Sequence, residues 1–121
     1  MRPKLPQTHG IRLMNTAFVV IHRRREYGPF DYEWSPDLHS VDLTYRGTRY
    51  GEVCSPAQMY VDLREFRLPQ RVVQVAMLVT GGILQSLRNG SSVAERNARI
   101  CRILSAAGCR RFVEGLQVAD L

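Results

Sequence analysis

Residues 41–54, Val41-Asp42-Leu43-Thr44-Tyr45-Arg46-Gly47-Thr48-Arg49-Tyr50-Gly51-Glu52-Val53-Cys54, decide the fold class. Val41, Leu43 and Tyr45 alternate with Asp42, Thr44 and Arg46. In an extended chain that alternation places the apolar set on one face and the polar set on the other. Gly47-Thr48 reads as a two-residue turn, after which Tyr50 and Val53 return for packing. The segment is therefore a β-hairpin with one buried face.

Upstream, the apolar run from Ala17 to Ile21 reads as a strand buried on both faces. Arg23, Arg24, Arg25 and Glu26 carry it toward solvent, and Tyr27-Gly28-Pro29-Phe30 reads as a turn. Residues 1–13, with Pro3, Pro6 and Gly10, read as a flexible N-terminal arm ahead of a single α+β domain over 14–121.

Downstream the pattern turns helical. Ser55 with Gln58 fits a capping box and Pro56 suits the first helical position, so a helix is expected through Phe66. Pro69 opens a second helix, whose Val72, Ala76, Val79, Ile83 and Leu87 step by three or four until Asn89-Gly90 ends it. The valines of Val72–Thr80 also fit a buried strand. Gly81-Gly82 marks a kink or a close neighbour. Ser92 with Glu95 repeats the capping box and starts a further helix that closes at Gly108, with a short one after Arg110. The expected architecture is α+β: an N-terminal antiparallel sheet of three to four strands packed against about three C-terminal helices.

At 121 residues and 45% apolar, the chain suits one domain with a real core. No apolar run approaches the ~20 residues of a membrane span; Val72–Leu84, the longest, is broken by Gln74, Thr80, Gly81 and Gly82. No secretory signal is evident, and the 3 cysteines cannot all pair within the chain, which fits reduced thiols and a soluble cytoplasmic protein. Among the 17 cations only Lys4 is a lysine, so the rest are arginines, set against 11 carboxylates for a net charge of +6. That excess suits nucleic acid, phosphorylated ligands or acidic proteins. A GC-rich coding sequence produces the same bias toward arginine.

Arg96, Arg99 and Arg102 step by three along an expected helix, and Arg110 and Arg111 follow it. Such a band would contact a phosphate backbone; as a plain solvated face it would instead pair Glu95 with Arg99. The segment from Leu84 to Leu116 resembles a helix-turn-helix, which implies that Arg110-Arg111 opens the reading helix. It departs from that motif in that no glycine interrupts the helix after Gly90-Ser91-Ser92 until Gly108, where a typical motif turns after about two helical turns. Phe18, Tyr27-Gly28-Pro29-Phe30, Tyr32 and Trp34 resemble GYF adaptor domains, implying a groove of Tyr27, Phe30, Tyr32 and Trp34 for proline-rich peptides. The family's second tryptophan has no counterpart, since Trp34 is the only one.

Asp31, Glu33, Asp37 and Asp42, with His22 and His39, are the candidates for acid–base or cation chemistry. Cys54, placed just ahead of the expected helix, would gain thiolate character from its dipole. No Cys-x-x-Cys pair and no phosphate loop occur, so neither metal nor cofactor is expected. The leading expectation is a non-enzymatic binding module, acting on a protein partner or by self-association. The alternative is nucleic-acid binding through Arg96, Arg99, Arg102, Arg110 and Arg111. A small hydrolase-like enzyme using the acidic and histidine group comes third.

Overall fold

The computed structural model describes residues 8–37, 39–55 and 58–118. Six strands form an antiparallel meander: β1 (His9–Leu13), β2 (Phe18–His22), β3 (Arg25–Trp34), β4 (Val41–Tyr45), β5 (Thr48–Ser55) and β6 (Gln58–Val61). Three helices follow, α1 (Gln70–Asn89), α2 (Val93–Ala106) and α3 (Arg110–Glu114), and then β7 (Leu116–Val118). The sheet order is β6-β5-β4-β3-β2-β1-β7, with β7 parallel to β1, so the sheet is mixed and seven-stranded. The α+β class stands; the expected three to four antiparallel strands do not.

The decisive hairpin forms with its turn one residue earlier. Tyr45 pairs with Thr48, which leaves Arg46-Gly47 at the corner. The other differences have local causes. His9–Leu13 is strand β1, not part of an arm, because Ile11 and Leu13 are fully buried against the core. Gly28-Pro29 sits inside β3, where the register slips opposite Val19, and the turn is Arg23-Arg24 instead. At Gly28 an added Cβ would lie 3.1 Å from the Phe18 carbonyl oxygen, and φ is +143°, so glycine is required there.

The helix expected over 55–66 does not form. Gln58–Val61 pairs with β5, and only Arg64–Phe66 makes a 3-10 turn. β-prone Tyr60 and Val61 outweigh the Ser55 and Gln58 cap signal; Pro56 lies outside the described residues. Val72–Thr80 is helical, within α1.

One face of the sheet holds the core. Phe30 stacks on Phe18 at 4.8 Å and meets Tyr45 at 4.9 Å and Tyr50 at 5.7 Å, making an aromatic layer across β2 to β5. On it α1 lays Val72, Val75, Ala76, Val79 and Ile83, all essentially buried. Full burial of each larger aliphatic side chain is worth about 1.5–3 kcal/mol. The Tyr50 hydroxyl lies 3.2 Å from Thr80 Oγ1, joining sheet to helix. α2 approaches α1 closely at Gly82, where a Cβ would stand 3.0 Å from Ile100 Cγ1.

The meander gives the molecule two distinct ends. The β2–β3 and β4–β5 turns share one end with the start of β1, the start of α1 and α3. The opposite end carries the β1–β2 and β3–β4 connections, the end of α1 and the start of α2; there Arg96 reaches Met14 and Asn15.

Candidate functional site

The first of these ends opens into a cleft of about 840 Å³. Its floor is aromatic: His9 lies 5.1 Å from His22 and 5.4 Å from the buried Phe112, measured between ring centres. Register pairing of His9 with His22 across β1 and β2 brings the two imidazoles together. Arg23 enters from the β2–β3 turn, Arg71 from the first turn of α1, and Arg110 and Arg111 from α3. All four are exposed and none forms an ion pair among the described residues. Arg71 contacts only Gln74 Oε1 at 2.9 Å and Cys109 Sγ at 3.8 Å. Glu114 also lines the cleft.

Three local features make this end electropositive. α1 begins after Pro69 without a side-chain cap or an acidic residue in its first turn. Its first helical amide bond runs from Val73 N–H to the Pro69 carbonyl, so the amides of Gln70, Arg71 and Val72 have no partner within the helix. Their partial positive charge adds to that of Arg71, an arrangement that favours a bound anion. Moreover, every non-glycine residue with positive φ among the described residues is an arginine: Arg23, Arg24, Arg46 and Arg67. Such turns ordinarily take Asn or Gly, and the left-handed region costs other residues about 1 kcal/mol each. All four lie at or next to the cleft end.

Both histidines are harder to protonate than a free imidazole. Burial chiefly, then Arg111, Arg23 and Arg71, lowers the His9 pKa below its ordinary value. For His22 burial again leads, followed by His9, Arg23 and Arg71. His22 Nδ1 is buried with no hydrogen-bond partner, whereas His9 Nδ1 accepts at 3.5 Å from the Arg23 amide.

Of the arginines expected as a band, only Arg110 and Arg111 reach the cleft. Arg96 is 6% exposed and donates to the Met14 carbonyl at 3.2 Å, to the Asn15 carbonyl, and to Asn97 Oδ1 at 3.1 Å. It ties α2 to the β1–β2 connection. Arg99 donates to Ser86 and Ser91 rather than pairing with Glu95, whose carboxylate completes the capping box on Ser92. Arg102 is exposed on α2, outside the cleft. The helix-turn-helix likeness fails because α3 has only 5 residues.

The other candidates disperse. Phe30 and Tyr32 belong to the core, Tyr27 packs against it, and Trp34 stands 58% exposed at the opposite end, so the four build no shared groove. Asp42 pairs with Arg49, Asp37 closes the turn from Ser35 to Ser40, and Asp31 accepts from Thr16. His22 lies at the cleft end, far from Asp37 and His39 by topology; no set of metal-ligating side chains converges among the described residues. Cys54 lies within β5 rather than ahead of a helix, and its hydrogen bond to Glu52 raises its pKa, the reverse of nucleophile activation.

No family model, curated protein or solved structure matches this chain. The site therefore rests on its own geometry. That geometry supplies charge, forked donors and helix amides, which suit non-covalent capture of phosphate oxygens. Sequence reading reached Arg110 and Arg111 and noted the Arg23–Arg25 cluster without assigning it. It missed Arg71 and His9 and grouped His22 with the acidic residues instead; only long-range packing brings the three together. One signal did mark α1: a helix start written Pro69-Gln70-Arg71, basic where acidic residues are usual.

Proposed function

We propose that the protein is a non-enzymatic nucleic-acid-binding domain that takes a phosphate backbone across the end of its sheet. The observation that carries this reading is the cleft, where Arg23, Arg71, Arg110 and Arg111 converge without ion pairs among the described residues. Arg24, Arg25, Arg46 and Arg67 extend the same sign of charge beyond its rim. Charge of this kind grips phosphates without reading base edges, so binding is independent of sequence. Contact with about four phosphates gives a slope near −3.6 in log affinity against log salt for duplex DNA. Fluorescence anisotropy with random-sequence oligonucleotides, from about 50 to about 300 mM salt, tests it. Affinity that is absent, or flat with salt, rejects the reading.

A second reading, docking of a protein partner, has one observation in its favour. Trp34, Val41, Val53, Leu84 and Leu87 line an apolar groove of about 170 Å³ at the opposite end. Trp34 and Leu87 are exposed there. Chemical-shift changes confined to this groove on addition of a partner, with the cleft unperturbed, would favour it.

A further inference from the structure

We infer that the cleft is built for a phosphate monoester, the terminal phosphate of a nucleic-acid chain, rather than for an internal phosphodiester. This rests on the nucleic-acid reading above and specifies which phosphate the cleft takes. An internal phosphodiester carries one negative charge, has two oxygens free for donors, and needs room for chain on both sides. A terminal phosphate carries close to two charges at neutral pH and offers three acceptor oxygens. The cleft supplies far more donors than a diester uses. Arg71, Arg110 and Arg111 present guanidinium forks, Arg23 faces them from the sheet, and the first amides of α1 open beside Arg71.

The shape agrees. The cleft has a floor of His9, His22 and Phe112, and a terminal phosphate seated on it leaves the rest of the chain to run out along the end of the sheet. His22 Nδ1 is a buried polar atom without a partner on that floor. The second negative charge of a dianion offsets the repulsion by Arg23 and Arg71 that, after burial, lowers both histidine pKa values. Glu114, on the α3 side, is the carboxylate that opposes an anion in this cleft.

The test compares a 5′-phosphorylated oligonucleotide with the same oligonucleotide ending in a 5′-hydroxyl, and with a nucleoside monophosphate alone. The phosphorylated form is expected to bind about tenfold tighter, the scale of one or two charge-assisted hydrogen bonds. The advantage should hold between about pH 8 and about pH 7 and shrink toward about pH 5, where the monoester loses its second charge. Arg71→Ala should weaken the hydroxyl form by about one phosphate contact and the phosphorylated form further, so that the advantage disappears. Arg71→Lys, which keeps the charge but not the fork, should remove most of it. Equal affinity for the two oligonucleotides, with steep salt dependence retained, overturns the monoester site and leaves the nucleic-acid reading intact. If neither oligonucleotide binds but the monophosphate raises the melting temperature of the parent and not of Arg71→Ala, the monoester site stands and the nucleic-acid reading falls.

Discussion

At one end of the sheet the chain turns on Arg23-Arg24 and Arg46-Gly47, with their arginines in left-handed conformations and in no ion pair among the described residues. At the other it turns between Ser35 and Ser40, where Asp37 accepts from the Ser35 hydroxyl and the His39 amide. The Ser40 amide donates to Ser35 Oγ at 3.1 Å, and Arg96 fastens the neighbouring connection by its carbonyls. The far end satisfies the polar groups of these two connections internally, without left-handed residues, although the buried Tyr32 hydroxyl finds no hydrogen-bond partner among the described residues. The cleft end keeps strained backbone, an uncapped helix and unneutralised cations. Unfavourable local choices gathered at one place mark function more sharply than total charge does, because selection for stability alone removes them.

Charge reversal at the cleft should break this contrast most strongly. Arg71→Glu with Arg111→Glu replaces two phosphate-facing cations by anions, and nucleic-acid affinity should fall about a hundredfold at low salt, about 2.7 kcal/mol. Arg102→Glu makes half that charge change outside the cleft and should cost less than threefold. A loss of about tenfold or more would mean that net charge, not the cleft, governs binding; anisotropy titrations on all three proteins decide it.

Arg96 gives the converse case. Arg96→Met keeps much of the aliphatic stem but strips the donors from the Met14 and Asn15 carbonyls, groups it holds beneath the surface. Stability should drop by about 2–3 kcal/mol in urea unfolding, with affinity per folded molecule unchanged. Loss of affinity at full stability would restore Arg96 to the interface that its helical spacing suggested.

A stabilising exchange comes next. Replacing Arg23-Arg24 by Asn-Gly supplies the residues such a turn favours, and should stabilise the fold by about 1–2 kcal/mol. The same variant should bind nucleic acid several-fold more weakly. Gain in one measurement and loss in the other identifies the strain as kept for binding. Gain in stability alone would make it incidental.

Local grammar made parts of the molecule legible. The alternation of Val41, Leu43 and Tyr45, the apolar stepping from Val72 to Ile83, and the Ser92–Glu95 box all specify their elements within a few residues of each other. The failures share a cause: a local signal overridden by pairing at a distance. Gly28-Pro29 looks like a turn yet lies within β3, because Phe30 and Tyr32 must reach the core on the same face as Phe18. Ser55 and Gln58 look like a cap, yet the segment completes the sheet edge on β5. The cleft was least legible of all. His9, His22, Arg71 and Arg111 are scattered along the chain, and only the β1–β2 register and the packing of α3 on β1 assemble them.

The smallest expected effect distinguishes the two ends by pH. His9 and His22 have folded-state pKa values below the ordinary 6.5, so near pH 6 the folded chain binds fewer protons than the unfolded one. Stability then rises with pH through this window: the contribution is complete above about 6.5 and is lost as pH falls below it. Asp37, at the far end, behaves differently, since its hydrogen bonds from Ser35 and His39 lower a carboxyl pKa from 3.8. Its contribution persists at pH 5.5 and disappears only in stronger acid. Urea midpoints at about pH 7.5 and about pH 5.5 should therefore differ slightly in the parent and converge in His9→Gln with His22→Gln. Asp37→Ala should leave the difference between those two pH values untouched. Adding a nucleoside monophosphate should shrink the parent's acid loss, because an anion in the cleft lets both imidazoles take up protons without repulsion from Arg23, Arg71 and Arg111. An acid loss that persists in the histidine double variant would place the titrating groups elsewhere and separate the histidine pair from the charge of the cleft.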